Sequence, residues 1–303
     1  MRLYRKLFYL LLICLLSGLM TGLAQGQDED ATRRFWPPNF RPGAAAPSAA
    51  KPRQDRYKRT SPALAKDKLP LDSTADNVVG ITVWRLRPAK ETDEARILVK
   101  KSGKAVQWTP ERVEAQTTFS EGQMLRLSIE IPRTGWLYVI DRELYADGSM
   151  SDPYLIFPTN PASNENRVSA GRVVEIPNQQ DEQAYFEMKS LGRDGGPAQV
   201  AEMLTMIITS SPIKDLPQRA AGDDSPILLS KSLVEKWEKE WAAEFEQLEL
   251  EGGAGKSYTK AEQSVGSKPA KTLSQDDALP QTVFRVAMKS GKPLVVKLPL
   301  KIK

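Results

Sequence analysis

The sequence predicts a mainly β protein: an antiparallel β-sandwich with one amphipathic helix and a C-terminal β-hairpin. Three observations predict it. Leu125-Arg126-Leu127-Ser128-Ile129-Glu130-Ile131 alternates apolar and polar residues without a fault, the period of a half-buried antiparallel strand. Further short apolar runs recur downstream between clusters of Gly, Asn and Pro, a spacing that suits a sandwich. One stretch has a helical period instead: Leu233, Trp237, Trp241, Phe245 and Leu248 recur at intervals of three and four.

Residues 1–24 read as a signal peptide. Arg2, Arg5 and Lys6 form a charged start, Leu7 to Met20 an apolar run broken only by Ser17 and Gly18, and Gly22-Leu23-Ala24 a small-residue cleavage site. The run is shorter than the ~20 residues a spanning helix needs, so cleavage leaves no transmembrane span; an uncleaved anchor is the alternative. The one cysteine, Cys14, follows Leu12 and Ile13, where a lipidation signal would place a small residue. Residues 25–77, rich in Pro, Ala, Lys and Arg, read as a disordered basic linker. Within it, residues 33–68 hold ten Lys and Arg against Asp55 and Asp67, so this part either contacts an anionic envelope surface or stays a solvated spacer.

Residues 78–303 form a single β-rich domain in this reading. Strands are expected at Val79 to Leu86, Leu125 to Ile131, Gly135 to Asp141 and Tyr154 to Pro158, the last two joined by an Ala146-Asp147-Gly148 turn. Others are expected at Arg172 to Ile176, Tyr185 to Met188 and Met203 to Ser210. The helix is expected over residues 232–251, opened by capping-box spacing from Ser232 to Glu235 and stopped by Gly252 and Gly253. Its two tryptophans pack it onto a sheet or form a ligand platform; the first is the commoner use of such a stripe. Residues 281–303 are expected to make a hairpin around Ser290-Gly291 that joins the same sheet system.

Composition excludes several chemistries. Residues 25–303 contain neither cysteine nor histidine, which rules out a thiolate nucleophile, a disulfide, a Cys/His zinc site and a Ser-His-Asp triad. Carboxylates, Lys, Tyr and Ser remain. Residues 78–303 carry 30 basic against 31 acidic side chains, so the globular part offers no footprint for nucleic acid. Gly255-Lys256-Ser257 resembles the end of a phosphate-binding loop, but Leu250 stands where that loop needs glycine.

Asp141, Glu143, Asp147 and Asp152 form a compact acidic group. They fail the EF-hand spacing: with Asp141 first, Tyr145 and Ala146 take the places of a ligand and the invariant glycine, and with Gly148 as that glycine, Tyr154 replaces the closing glutamate. Calcium binding by another loop geometry, or a glycosidase-like pair, stays open. The polar loop of Thr159, Asn160, Ser163, Asn164 and Asn166 is where a binding site would sit on such a scaffold.

An ordered set of motifs then stands out: Phe119-Ser120-Glu121-Gly122-Gln123, Gly135-Trp136-Leu137-Tyr138-Val139-Ile140-Asp141, Ala146-Asp147-Gly148, Leu155-Ile156-Phe157-Pro158-Thr159-Asn160, Ala170-Gly171 and Ile176-Pro177. Over residues 117–212 it resembles a bacterial domain of unknown function, found in exported proteins and appended to caspase-like proteases or serine/threonine kinases. Trp136 departs from that family, in which a tyrosine is usual. The resemblance implies an accessory recognition module and carries no catalytic residues with it.

The expectation is therefore an exported, periplasmic or secreted, non-enzymatic envelope module that binds a protein or an envelope polymer. The alternatives are a carboxylate-dependent hydrolase of envelope glycan and a purely structural envelope component. No catalytic, cofactor-binding or metal-binding residue is assigned, and no cofactor is expected.

Overall fold

The structure, a computed structural model, describes residues 78–101, 104–178, 184–189, 196–214, 216–218, 226–260, 262–263, 278–287 and 292–303. All of them belong to one compact unit. The expected leader and linker, residues 1–77, lie outside the described residues.

The chain runs through β1 (Val78–Pro88), β2 (Ile97–Lys101), β3 (Lys104–Val113), β4 (Thr118–Phe119), β5 (Met124–Glu130), β6 (Gly135–Tyr145) and β7 (Tyr154–Phe157). A 3-10 turn at Pro161–Ser163 precedes β8 (Arg167–Val168), β9 (Val173–Ile176), β10 (Phe186–Glu187) and β11 (Gln199–Thr209). Then follow β12 (Ile227–Leu228), the helix α1 (Lys231–Glu240), β13 (Glu244–Glu249), β14 (Thr282–Ala287) and β15 (Leu294–Ile302).

These strands make two sheets facing each other, and the sandwich that the alternation predicts is what forms. In the first sheet β1 is central: β5 pairs with one of its edges, while β14 and β3 share the other, with β13 beyond β14 and β2 beyond β3. The second sheet has the order β12-β7-β6-β11-β15-β4. Pairing is antiparallel except for the two-residue contact of β4 with β15. The core lies between the sheets, where Val79, Ile81 and Val83 of β1 and Leu125, Leu127 and Ile129 of β5 meet Leu204, Met206 and Ile208 of β11 and Leu294, Val296 and Leu298 of β15. Each set is every second residue of its strand, the pleat expressed as burial. No helix among the described residues is long and apolar enough to cross a membrane.

The expected β6–β7 hairpin forms around Asp147-Gly148. Gly148 has a φ of +82°, which a β-carbon would disfavour, and the Asp147 carboxylate accepts from the Ser149 amide at 2.9 Å.

Two expectations need correction. The helix ends at Glu240, and Phe245 and Leu248 belong to β13 instead. Here the partly filled sheet decides: pairing of Glu244 to Glu249 with β14 supplies a ladder of main-chain bonds, and that outweighs a modest helical propensity. The helix also begins earlier than expected, at Lys231, so Ser232 lies inside its first turn and Ser230 is the cap, without a side-chain capping bond. Its stripe does pack onto a sheet: Val234 and Trp237 are buried among Tyr138, Ile140, Ile207 and Val295 on the outer face of the second sheet, and Trp241 stacks on Trp237 at 5.6 Å.

The second correction concerns the C-terminal hairpin. Both strands exist, but β14 pairs with β1 and β13 in the first sheet, whereas β15 pairs with β11 and β4 in the second. The reason is burial. Phe284 and Val286 face the core from one side and Leu294, Val296, Leu298 and Leu300 from the other, which two strands paired in one sheet cannot do.

Candidate functional site

The inward alternation of β1 and β5 sends Thr82, Trp84, Arg126, Ser128 and Glu130 to the outer face of the first sheet. There they are shielded from water: Trp84 is 4% exposed and Arg126 2%. The segment after β13 crosses this face and seals it, with the Gly255 amide donating to the Arg112 carbonyl at 2.9 Å and the Arg112 amide to the Lys256 carbonyl at 2.9 Å. Tyr258, at the end of that crossing, drops its ring edge-on against Trp84, 4.8 Å between centroids.

Two ion pairs lie under the crossing. Arg126 forms an ion pair with Glu175 at 2.7 Å and also donates to the Pro177 carbonyl at 3.1 Å. The second Glu175 oxygen accepts from the Tyr258 hydroxyl at 2.6 Å. Burial, then the neighbouring Glu175 charge, raises the Tyr258 pKa well above its ordinary value, so the hydroxyl stays a donor. Arg112 pairs with Glu262, donates to the Leu279 carbonyl at 2.6 Å, and lies 4.9 Å from the centre of the Trp84 ring. The Trp84 indole donates to Ser128 at 2.8 Å.

Between these groups is a hollow of about 30 Å³, lined by Thr82, Trp84, Ser128, Glu130, Glu175 and Tyr258. At roughly 10–15 Å³ for each water it has room for two or three. That is about a tenth of the smallest usual small-molecule pocket, roughly 300 Å³.

A second charged group lies where β1 meets β3. Arg87 grips Asp93 with two bonds of 2.8 Å and reaches Glu111 at 3.0 Å, which also accepts from Arg85 at 2.6 Å. The hydrogen bond from Arg87 pulls the Asp93 carboxyl well below the usual carboxylate range, against the opposing effect of burial. Ser257, the last residue of the loop-like Gly255-Lys256-Ser257, accepts from Arg87 at 2.8 Å and so serves this network.

The four acidic residues singled out in the sequence do not converge. Asp147 and Asp152 are exposed around the hairpin turn. Asp141 is 5% exposed and shares the inward face of β6 with Glu143. What they meet there is Glu202 of β11, fully buried, with the Gln199 amide donating to it at 2.8 Å. Burial, then the charges of Asp141 and Glu143, raises the Glu202 pKa well above its ordinary value. Among the described residues no group of three His, Cys, Asp or Glu could hold a metal ion. Glu202 was missed from the sequence, although it is in phase with inward Leu204, Met206 and Ile208.

The asparagine loop is closed on itself. Glu165 accepts from the amides of Thr159 and Asn160 at 2.6 and 3.1 Å, Asn160 caps the short turn by accepting from Ala162 at 3.0 Å, and Asn164 takes the left-handed conformation with φ of 55°. Asn166 is buried, and its carbonyl accepts from the Leu137 amide at 2.9 Å.

Comparison of the chain with protein-family models, with curated proteins and with solved structures finds no match.

Proposed function

We propose that the chain is an exported accessory module of the bacterial envelope that recognises a protein or an envelope polymer and performs no chemistry of its own. The observation that carries this reading is where the ionisable side chains go. Glu202 and Asp141, the closest approach to an acid–base pair, are sealed between the sheets, and Arg126, Glu175 and Tyr258 are sealed beneath the crossing segment. A glycan chain cannot reach Glu202, which has no exposed surface, and Asp141 is only 5% exposed. Export is supported by the leader-like residues 1–24, and an accessory role by the resemblance of residues 117–212 to a domain that accompanies proteases and kinases.

The test pairs capture with turnover. The whole chain, immobilised, should retain one saturable partner from an envelope extract, and should release no product from peptidoglycan or other envelope glycan. Turnover that disappears in Glu143→Gln or Asp141→Asn would replace this reading with the hydrolase.

A further inference from the structure

We propose that the open edge of β13 is the docking site for a basic, extended segment of a protein partner, which adds to the first sheet as one more strand. The proposal rests on the recognition role above and names the surface and the chemistry of the partner.

A sheet edge is a template for a foreign strand, and proteins blunt their edges with shortness, lysine, proline or a bulge. The other terminal strands among the described residues each have such a device. β4, β8, β10 and β12 are two residues long, β2 ends in Lys100-Lys101, and β9 runs into Pro177. β13 has none of them: it is six residues in unbroken register with β14, about 20 Å of strand, with neither lysine nor proline. Among the described residues nothing pairs with its other side.

Negative charge is what this edge carries. Glu244, Glu246 and Glu249 lie within it and Glu251 follows, with no Lys or Arg from Trp241 to Glu251. Arg285 balances Glu246 at 3.0 Å and Thr282 holds Glu249 at 3.0 Å, while Glu244 is exposed at the far end. A second copy of β13 would set like charges opposite each other and is disfavoured, whereas a strand bearing Lys or Arg gains at the same positions. Phe245 supplies an apolar contact beside the charges. It is 42% exposed and rests edge-on against the core ring of Phe284, 5.7 Å between centroids. Main-chain bonds from the edge would give affinity, and the glutamates together with Phe245 would give selectivity, as in strand-addition complexes.

The probe is a blocked peptide of alternating Lys and Val, about ten residues long, titrated into the whole chain at low and at high salt. Expected are saturable binding, slowed hydrogen exchange at the β13 amides, and a loss of at least about tenfold in affinity in Glu244→Lys/Phe245→Ser. The same peptide N-methylated at alternate residues, unable to form a ladder, should bind no better than polylysine. Equal binding by both peptides, indifference to the double substitution, or β13 amides already protected in the free chain by its own basic residues 33–68 would each overturn the proposal. Unchanged thermal unfolding of the variant separates lost docking from lost fold. If the variant still retains the envelope partner captured by the wild type, the edge is wrong and the recognition role stands; if neither retains one, the role itself fails.

Discussion

Glu202 stands directly opposite Glu143 in the β6–β11 ladder, two carboxyl groups paired across adjacent strands on the inward face of a sheet. Asp141, opposite Leu204, completes the group one step along. Like charges so placed repel, and Glu202 relieves the conflict by keeping its proton.

A pH dependence follows. The folded state raises the Glu202 pKa, so its contribution to stability is full below the ordinary carboxyl value, near 4.3, and is lost as pH rises through the raised value. The slope for one proton cannot exceed about 1.4 kcal/mol per pH unit. Glu202→Gln keeps the shape and removes the titration. Urea unfolding between mildly acid and mildly alkaline pH should show the wild type weakening relative to the variant, and identical profiles would exclude this account.

Asp93 gives the opposite sign. Arg87 depresses its pKa in the fold, so its stabilisation is present above the unfolded carboxyl value and is lost as pH falls through the folded one. Asp93→Asn should therefore be less stable than the wild type at neutral pH, with the difference shrinking in acid. Paired acid titrations of the unfolding midpoint would show it; a gap that stays constant would mean that packing, not charge, was lost.

Arg126 and Glu175 form an ion pair whose side chains are 2% and 6% exposed. Arg126→Met leaves a buried carboxylate facing an apolar chain and should cost about 3–5 kcal/mol. Arg126→Met/Glu175→Gln removes both charges, leaves Tyr258 an acceptor, and should recover more than half of that loss. A double variant no better than the single one would show that the guanidinium acts through its hydrogen bond to the Pro177 carbonyl.

Gly135 opens β6 against the end of β11, and a β-carbon there would run into the Thr209 carbonyl oxygen. Both are backbone neighbours in a paired ladder, so neither yields cheaply. Gly135→Ala should destabilise by about 1–3 kcal/mol in equilibrium unfolding, and a neutral result would mean that the β6–β11 pairing opens at this end.

β1 and β5 lie close to where alternation put them, and β6, β7 and β11 close to where short apolar runs between turn signals put them. The helix boundary was not legible. Phe245 and Leu248 fit a helical spacing, and only the vacancy beside β14 makes them a strand, which no local pattern records. The β2–β3 hairpin was passed over because Ile97-Leu98-Val99 is a short apolar run beside lysines, ambiguous until Leu86 and Met124 provide the surface it covers. Tyr258 and Glu175 are far apart in sequence and meet only after the crossing segment is laid down, so the sealed charge group left no motif to read. Glu202 was readable, since a carboxylate in phase with Leu204 and Met206 must face inward.

The placement of β14 and β15 sets the timing of folding. Val78 begins β1 beside Arg285 of β14, and β15 fills the gap between β11 and β4. Each sheet thus waits for a strand from the far end of the chain, and such long-range closure is slow and leaves apolar faces open until it happens. A polypeptide stopped before Thr282 lacks β14 from the first sheet and β15 from the second, so both sheets are unfinished. Under the export proposed above, this order of assembly would postpone the compact state until Thr282 and the residues after it have emerged.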